Sequence, residues 1–327
     1  MRSLATLPKG HLHIHLEGAM RPSTLADMAA YYEIPVPVTR GFGSFSAFAG
    51  LYVAACEVLR TEDDLRRITR EVVEDAAASG AAWVEPAFYG PRYAEQFGSA
   101  GNAIDIVLAE GLRVGQELGV GFGLMVAADR TVDPSEAVEQ AKLAAERADR
   151  GVVSFGLAND EALFGPLPFA EAFAIAREAG LLSTPHAGEL AGPESIVGAL
   201  DALGAHRIQH GVRVVEDREV LARLVHEQVC LDVCPTSNLL LAVVPALAEH
   251  PLPYLLEQGV PCSINGDDPL LFGPGLLEEY ELCRSELGLT DEQLATCARN
   301  SLVFSGAPRE LVDAASVRID EWLTEGS

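Results

Sequence analysis

The chain has 327 residues, of which 48 are acidic and 23 are basic, and its formal net charge at pH 7 is -25. A charge of this sign repels phosphate backbones and anionic bilayers, so we expect no nucleic acid and no membrane as partners. No secretory signal stands near Met1, and no stretch approaches the roughly 20 apolar residues of a membrane span, which predicts a cytoplasmic protein.

Short apolar runs rich in β-branched residues alternate with amphipathic helical patterns along the chain. The runs predict eight strands, at Leu12 to Leu16, Ala82 to Phe88, Val120 to Ala127, Val152 to Leu157, Leu181 to Pro185, Arg207 to His210, Val229 to Val233 and Pro261 to Ile264. The patterns between them predict helices at Leu65 to Ala78, Ala103 to Leu118, Pro134 to Ala148, Phe169 to Ala179, Pro193 to Leu203, Arg218 to Glu227 and Pro245 to Glu257. Three further helices are predicted after the eighth strand, at Leu276 to Leu287, Asp291 to Ser301 and Arg309 to Leu323.

Eight strand-helix units favour an α/β fold, namely a single (β/α)8 TIM barrel. An open doubly wound sheet normally carries a glycine-rich phosphate turn, and this sequence has none. No repeat and no linker divides the chain, so we expect one domain over residues 1–327. The stretch from Arg21 to Arg60 is too long for a plain connection and contains Phe45 and Phe48, which predicts an inserted helical lid after the first strand.

Histidine and aspartate side chains stand where several of the predicted strands end. His13 and His15 are two residues apart, and alternate residues of a strand point to one face. His186, His210 and the pair Asp267-Asp268 each follow another strand-like run. Because the carboxyl ends of barrel strands meet at one rim, these side chains are expected to converge. Imidazoles with a carboxylate are typical zinc ligands, so the first hypothesis is a metal enzyme.

Five motifs occur in a fixed order between about Leu7 and Asn300. They are Leu7-Pro8-Lys9 leading into His13-Ile14-His15-Leu16-Glu17-Gly18, then His186-Ala187-Gly188-Glu189, Arg207-Ile208-Gln209-His210-Gly211, Cys234-Pro235 and Asp267-Asp268-Pro269. Together they resemble the adenosine deaminase family, within the amidohydrolase superfamily of metal-dependent barrels. Any one motif alone would be a weak signal, whereas five in register make chance a poor explanation.

The resemblance implies one Zn²⁺ per chain. Its ligands would be His13, His15, His186 and Asp267. Three neutral imidazoles and one carboxylate suit a divalent ion that keeps an open position for water and lowers the pKa of that water to around 7. The nucleophile implied by the family is therefore a zinc-activated hydroxide, which His210 would orient for addition to C6 of a purine.

The resemblance also assigns an acid to the reaction. Glu189 would protonate ring N1, because addition of hydroxide to an aromatic carbon needs a proton donor on the ring. A carboxyl group can donate near neutral pH only if it holds its proton, so we expect a raised pKa for Glu189 in a shielded pocket. Asp268 would face N7 and help to hold the base.

Departures from the family pattern concern the substrate. Glu17 stands where adenosine-specific members usually carry aspartate, Asn159 where they have glycine, and Ala87 where many relatives carry arginine. His11 stands where the family commonly has an acidic residue, and we expect it to be buried and hydrogen-bonded below the site. The expected substrate-binding residues are Asp268, Glu17 and Asn159.

The function predicted from the sequence is hydrolytic deamination of the 6-amino group of an adenine ring, with release of ammonia. The expected substrate is adenosine or a modified adenosine nucleoside. The alternatives are aminodeoxyfutalosine, which is an adenosine with a bulky 5′ extension, and free adenine. The small-molecule partner is thus a purine nucleoside or base.

Two alternative functions from other classes of protein remain open. The chain could be a barrel hydrolase of another bond, such as an amide or a phosphoester, since one fold supports many functions. Glu189, His210 and Asp268 together suit a purine ring and have no purpose for a phosphoester. A binding protein without catalysis would have lost ligands or Glu189, and all are present. The remaining histidines, His206, His226 and His250, are expected on the surface or at helix ends.

Overall fold

Eight parallel strands form a closed barrel in the computed structural model, which describes residues 2–324. Three of the strands are interrupted once. The strands are β1 (Lys9–His11), β2 (Ala81–Val84 and Ala87–Phe88), β3 (Gly121–Phe122 and Leu124–Asp129), β4 (Val152–Ala158), β5 (Leu182–Ser183 and His186–Ala187), β6 (Arg207–His210), β7 (Cys230–Val233) and β8 (Cys262–Ile264).

Every strand pairs in parallel with the next one along the chain, from β1 with β2 to β7 with β8. A parallel bridge between Ile14 and Asp267 joins the end of β8 to the end of β1 and closes the ring. Two hydrogen bonds of 3.0 Å support this bridge: the Asp267 N–H donates to the His13 carbonyl, and the His15 N–H donates to the Asp267 carbonyl. The predicted barrel fold is confirmed.

Helices lie between successive strands and after the last one. They are α1 (Pro22–Tyr31), α2 (Phe45–Cys56), α3 (Glu62–Ala78), α4 (Ala94–Phe97), α5 (Ala100–Leu118), α6 (Pro134–Ala145), α7 (Ala170–Glu178), α8 (Pro193–Leu203), α9 (Arg218–Glu227), α10 (Pro235–Leu240), α11 (Leu252–Glu257), α12 (Pro269–Phe272), α13 (Leu276–Ser285), α14 (Asp291–Val303) and α15 (Arg309–Thr324). The segment between β1 and β2 contains α1 to α3, and α13 to α15 follow β8, as the sequence predicts. No helix within residues 2–324 is long and apolar enough to cross a bilayer.

Local chemistry explains why α3 begins and ends where it does. The Thr61 hydroxyl accepts the Asp64 N–H at 3.3 Å, and the Asp64 carboxylate accepts the Thr61 N–H at 2.9 Å, which together make a capping box. After the helix, Gly80 has a φ of +78°, and a Cβ there would lie 2.1 Å from the Ala5 carbonyl oxygen. Glycine is therefore required by both the backbone conformation and the close approach.

Two elements differ from the sequence-based predictions. The first strand is not at Leu12 to Leu16 as predicted: it spans Lys9–His11, because these residues carry the pairing with β2, and only single bridges at Ile14 and His15 lie in the predicted range. Lys9 is buried, and its Nζ donates to the carbonyls of Leu4 and Leu7 at 2.8 and 2.9 Å. Burial lowers the pKa of Lys9 to about 7. The predicted helix Pro245 to Glu257 is wrong over its first half, where only a 3-10 turn at Leu247–Glu249 forms. Pro251 keeps His250 extended, so that α11 begins after it.

An ion network fills the barrel interior below the carboxyl ends of the strands. The Arg207 guanidinium on β6 donates to Asp232 and to Glu85, each at 2.8 Å, and to the Phe304 carbonyl at 2.8 Å. All three charged side chains are fully buried. A buried charge is tolerated only when it is paired and hydrogen-bonded, so the three groups are energetically interdependent.

Replacing Arg207 with methionine is expected to lower the free energy of unfolding by about 3–5 kcal/mol at neutral pH, because Glu85 and Asp232 would be buried without a cation. Burial already raises the pKa of Asp232 and Arg207 opposes that rise. Without the arginine, the pKa of Asp232 in the folded protein rises further above its value in the unfolded chain. The folded state then binds a proton that the unfolded state releases, so the free energy of unfolding falls as the pH rises above the ordinary carboxyl pKa. Urea unfolding at a series of pH values measures both effects.

The matched control is Arg309→Met, which removes an exposed i,i+4 pair with Asp313. Such a pair contributes at most about 1 kcal/mol. Equal stability of the two variants across the pH range would show that the buried network does not behave as described.

Candidate active site

The histidines singled out in the sequence meet at the rim where the strands end. His13 and His15 follow β1, His186 lies in the second segment of β5, and His210 ends β6. Asp267 follows β8 and faces them. His210 and Asp267 have φ values of +65° and +57°, which side chains other than glycine seldom adopt. Such strained backbone is typical of functional sites, where it aims a side chain.

Asp267 lies at the centre of this group. Its Oδ1 is 3.3 Å from His13 Nε2 and 3.4 Å from His15 Nε2. Its Oδ2 is 3.7 Å from His210 Nε2. Candidate ligand atoms of His13, His186, His210 and Asp267 all lie within 4.8 Å of one another. Although burial opposes ionisation, the imidazoles, His13 first, lower the pKa of Asp267 well below its ordinary value.

The hydrogen bonds of His13 and His186 fix which nitrogen of each ring faces the centre. His13 Nδ1 lies 3.0 Å from the Asp232 carbonyl oxygen, and His186 Nδ1 lies 3.1 Å from the Leu157 carbonyl oxygen. A carbonyl only accepts, so Nδ1 carries a proton in both rings, and each ring in its neutral form points the Nε2 lone pair at the centre. Although burial opposes it, the charge of Asp267 raises the pKa of His13. The two Nε2 atoms are 3.2 Å apart. Two facing lone pairs repel each other unless a cation lies between them, so these residues fit a metal ion.

His210 has the opposite arrangement, which a chain of three hydrogen bonds sets. The Leu252 N–H donates to His250 Nδ1 at 3.1 Å, so His250 carries its proton on Nε2 and donates it to Asn238 Oδ1 at 3.2 Å. The Asn238 amide nitrogen then donates to His210 Nδ1 at 3.1 Å. The proton of a neutral His210 ring is therefore on Nε2. Its Nε2 is a hydrogen-bond donor, whereas a metal ligand needs a lone pair.

Glu189 and Asp268 are two buried carboxyl groups that face the same cavity. Glu189 Oε1 is 3.4 Å from His210 Nε2. Neither Glu189 Oε1 nor Asp268 Oδ1 has a hydrogen-bond partner among residues 2–324. Burial, together with the charge of Asp267, raises the pKa of both groups well above the ordinary value, which favours their protonated forms. In that form each can donate a hydrogen bond to a ligand.

The cavity in front of these groups has a volume of about 830 Å³, including its open mouth. Small side chains line its flat inner part: Ala87, Ala127, Ala128 and Ala158. Helix α2 covers the outer part with Phe45, Phe48 and Tyr52. The cavity thus combines apolar walls with a few converging polar groups, as small-molecule sites do.

Of the residues expected to contact a substrate, Glu17 and Asn159 line this cavity but are held by the protein itself. Glu17 Oε2 accepts the Tyr52 hydroxyl at 2.9 Å, and its Oε1 accepts the Tyr93 hydroxyl at 3.1 Å. The Asn159 amide donates to both oxygens of Asp129, at 3.1 and 3.0 Å. The Asn159 side chain is therefore turned toward the neighbouring strand.

Asp268 lies opposite a glycine that is needed for space. A Cβ on Gly18 would lie 1.6 Å from Asp268 Oδ1.

His11 is buried below the rim, as expected, and its Nε2 accepts the Gly266 N–H at 3.1 Å. Burial lowers the pKa of His11 to about 3.

Sequence reasoning missed three residues of this region. His250, expected on the surface or at a helix end, is buried and linked to His210 through Asn238. Glu161 accepts hydrogen bonds from the loop that carries Glu189. Asn238 and Glu161 both follow a barrel strand at its carboxyl end, and that position was the available signal. The position of His250 gave no such signal, because it follows no strand.

The chain is similar to known proteins over almost its whole length. The sequence profile described as "Adenosine deaminase" matches residues 8–322. A protein of Streptomyces virginiae, which carries the provisional name adenosine/adenine deaminase, is 42% identical over 334 residues. The match covers 99% of this chain and 98% of that protein.

Two solved structures share the whole fold. The adenine deaminase of Arthrobacter aurescens is similar with a TM-score of 0.90 and 32% identity, covering 97% of this chain and 99% of that one. An amidohydrolase from Burkholderia ambifaria, solved with bound Zn, has a TM-score of 0.88 and 27% identity, covering 98% of this chain and 92% of that one.

The hydrogen-bond chain makes a prediction about His210. In Asn238→Asp the carboxylate can only accept, so the proton of His210 is expected to move from Nε2 to Nδ1. Nitrogen NMR of the histidine rings measures the tautomer directly. His206 is the internal control, because it is exposed and its Nδ1 accepts the Ser183 N–H outside the chain of bonds. An unchanged His210 tautomer in the variant would contradict the assignment.

Proposed function

This chain belongs to the adenosine deaminase family, and on that premise we propose that it removes the 6-amino group of an adenine ring by hydrolysis, with release of ammonia. The observation that carries the proposal is the pair of buried carboxyl groups, Glu189 and Asp268, that face the imidazole cluster with no internal hydrogen bond on Oε1 and Oδ1 among the described residues. A purine ring presents basic nitrogens that protonated carboxyl groups can bind. A phosphoester has no basic ring nitrogen that could take up a proton.

His13, His15, His186 and Asp267 would hold one zinc ion per chain. The directions of the His13 and His186 ring protons support this set, because both rings turn a lone pair toward Asp267. Burial, with the charge of His13 next, lowers the pKa of His186 well below its ordinary value, which keeps it neutral as a ligand must be. A bound zinc ion supplies one thing to this chemistry: it lowers the pKa of water to around 7.

The remaining polar groups would act on the ring and on the attacking water. His210 directs its Nε2–H toward the space between Glu189 and Asp267, so it would orient the water and stabilise negative charge on it. Glu189 would deliver its proton to ring N1 as the water adds to C6. Asp268 would donate a hydrogen bond to N7. Residues 1–327 would act as one domain, since the ring of strands closes between β1 and β8.

The proposed substrate class is an adenine nucleoside. The lining of the cavity extends past the small residues around the base to the aromatic side chains of α2, which a ribose could contact while the base lies among the small residues. At this outer end Arg92 lies 5.8 Å from the Tyr52 ring centre and 5.9 Å from the Tyr89 ring centre. Its Nε is buried without a hydrogen bond in residues 2–324, which suits a substrate with an acceptor group on a 5′ extension.

Free adenine is the second candidate. The Arthrobacter aurescens protein is named adenine deaminase and shares the whole fold with this chain. In addition, both oxygens of the Glu17 carboxylate already accept a tyrosine hydroxyl, from Tyr52 and Tyr93, and so are not free to bind a ribose hydroxyl. These two observations favour a site that accepts the base alone.

A substrate panel separates the candidates. We expect ammonia release from at least one of adenosine, 2′-deoxyadenosine, adenine and a 5′-extended adenosine such as aminodeoxyfutalosine. Fastest turnover of a nucleoside supports the first candidate, and turnover of adenine alone supports the second. If the zinc-loaded protein turns over none of them, the proposed function is wrong.

Glu189→Gln is expected to retain zinc and to lower kcat by at least 100-fold, because the amide cannot supply the proton to N1 (the expected range for general acid catalysis is about 10²–10⁴). Metal analysis and steady-state kinetics measure the two quantities. Glu194→Gln is the matched control, since Glu194 lies exposed five positions further along the same segment and bonds only the Gly192 N–H. Near-normal turnover by Glu189→Gln would require another acid.

A further inference from the structure

The carboxylate of Glu161 occupies a ring of backbone N–H groups on the loop that carries Glu189. Its Oε1 accepts the Gly188 N–H at 2.5 Å. Its Oε2 accepts three successive N–H groups, from Glu189 at 3.0 Å, Leu190 at 2.8 Å and Ala191 at 3.2 Å. Glu161 is 3% exposed. Four consecutive amides that point at one anion form the kind of concave binding site called a nest.

The segment that carries Glu161 is itself fixed. It follows β4 through Asn159, which has a φ of +82° and is held by its two hydrogen bonds to Asp129. The Asn159 Oδ1 accepts the Asp160 N–H at 2.9 Å. Glu161 is therefore presented from a rigid turn between β4 and α7, and its carboxylate bridges from this turn to the loop after β5.

Two arginines bind the backbone carbonyls of the same loop. The buried Arg130 guanidinium donates to the His186 carbonyl at 2.6 Å. Arg213 donates through its backbone N–H to the Gly188 carbonyl at 3.0 Å and through its side chain to the Leu190 carbonyl at 3.1 Å. Glu161 thus accepts from the N–H groups of the loop, and Arg130 and Arg213 donate to carbonyls that lie before and after Glu189 in the chain.

Capping of α8 does not explain the contacts of Glu161. The helix begins at Pro193, and its N-cap residue Gly192 donates its N–H to Glu194 at 3.0 Å. The four amides bound by Glu161 all lie before this N-cap residue. They belong to the loop, so the carboxylate holds the loop and does not cap the helix.

We propose that Glu161 is the positioning residue of the active-site acid: its carboxylate, seated on the amides of residues 188–191, sets where the Glu189 side chain lies against the base. This inference rests on the proposed function, because it takes Glu189 as the acid. Glu161 does not line the cavity, so it can act on the reaction only through Glu189 and the loop that carries it. A misplacement of about 1 Å at a reacting group can lower a rate by roughly 100-fold.

The test begins with Glu161→Ala, with Glu161→Gln as a second variant that preserves most of the volume. Both are expected to lower kcat by about 100-fold with KM within about threefold and zinc content unchanged. In Glu161→Ala, sodium formate is expected to restore part of the turnover by seating a carboxylate on the amides, whereas sodium chloride at equal ionic strength is not. A general loss of folding would respond to neither salt.

A double-mutant cycle asks whether Glu161 acts through Glu189. In the Glu189→Gln background, Glu161→Ala is expected to produce little further loss, because the proton donor is already absent. The matched control is Glu71→Ala, which removes another buried carboxylate that accepts the Thr24 hydroxyl far from the cavity. It is expected to lower stability and leave kcat unchanged.

Hydrogen exchange tests the anchoring without any turnover. Amides 188–191 are expected to exchange faster in Glu161→Ala than in the wild type, while those of α8 keep their protection. Unchanged exchange at the loop, a kcat within a factor of two of the wild type, or an equal loss in the Glu189→Gln background would each overturn the inference. Faster loop exchange in a protein that deaminates no substrate would instead refute the proposed function and leave the anchoring intact.

Discussion

One carboxylate among four imidazoles is the constraint on which the candidate site depends. Asp267 is buried and ionised because His13, His15 and His210 face its two oxygens. The bridge that places it there, between Ile14 and Asp267, is also the contact that closes the barrel. The contact that closes the barrel therefore also places Asp267 beside the histidines. A shift of β1 against β8 would separate Asp267 from His13 and His15.

The hydrogen-bond partner behind each ring, a backbone carbonyl for His13 and His186 and the side-chain amide of Asn238 for His210, decides what that ring can do. Carbonyl oxygens behind His13 and His186 hold the proton on Nδ1 and leave a lone pair toward the centre. An amide behind His210 does the reverse, and the order of donors can be traced back to the Leu252 N–H. Three imidazoles of identical composition thus divide into two that can bind a cation and one that can donate a hydrogen bond.

The loop that carries Glu189 is under a similar kind of control. Burial and the negative charges of Asp267 and Glu161 raise the pKa of Glu189. Glu161 also holds the loop on which Glu189 lies, so one buried anion contributes both to the position of the proposed acid and to its raised pKa.

Periodicity along the chain was sufficient to predict eight strand-helix units, the barrel and the rim on which the histidines meet, but it misplaced the first strand and the first half of the helix Pro245 to Glu257. Alternation and chain order are local properties, and a parallel barrel converts them into position. Motif order was likewise sufficient to indicate the family. The start of β1 at a buried lysine, the partners of Glu17 and Asn159, the route from His250 to His210, and the seat of Glu161 could not be predicted in this way. Apart from the local contacts of Lys9, these are hydrogen bonds between residues that are separated along the chain, and their existence and direction depend on which groups the folded chain places within hydrogen-bond distance.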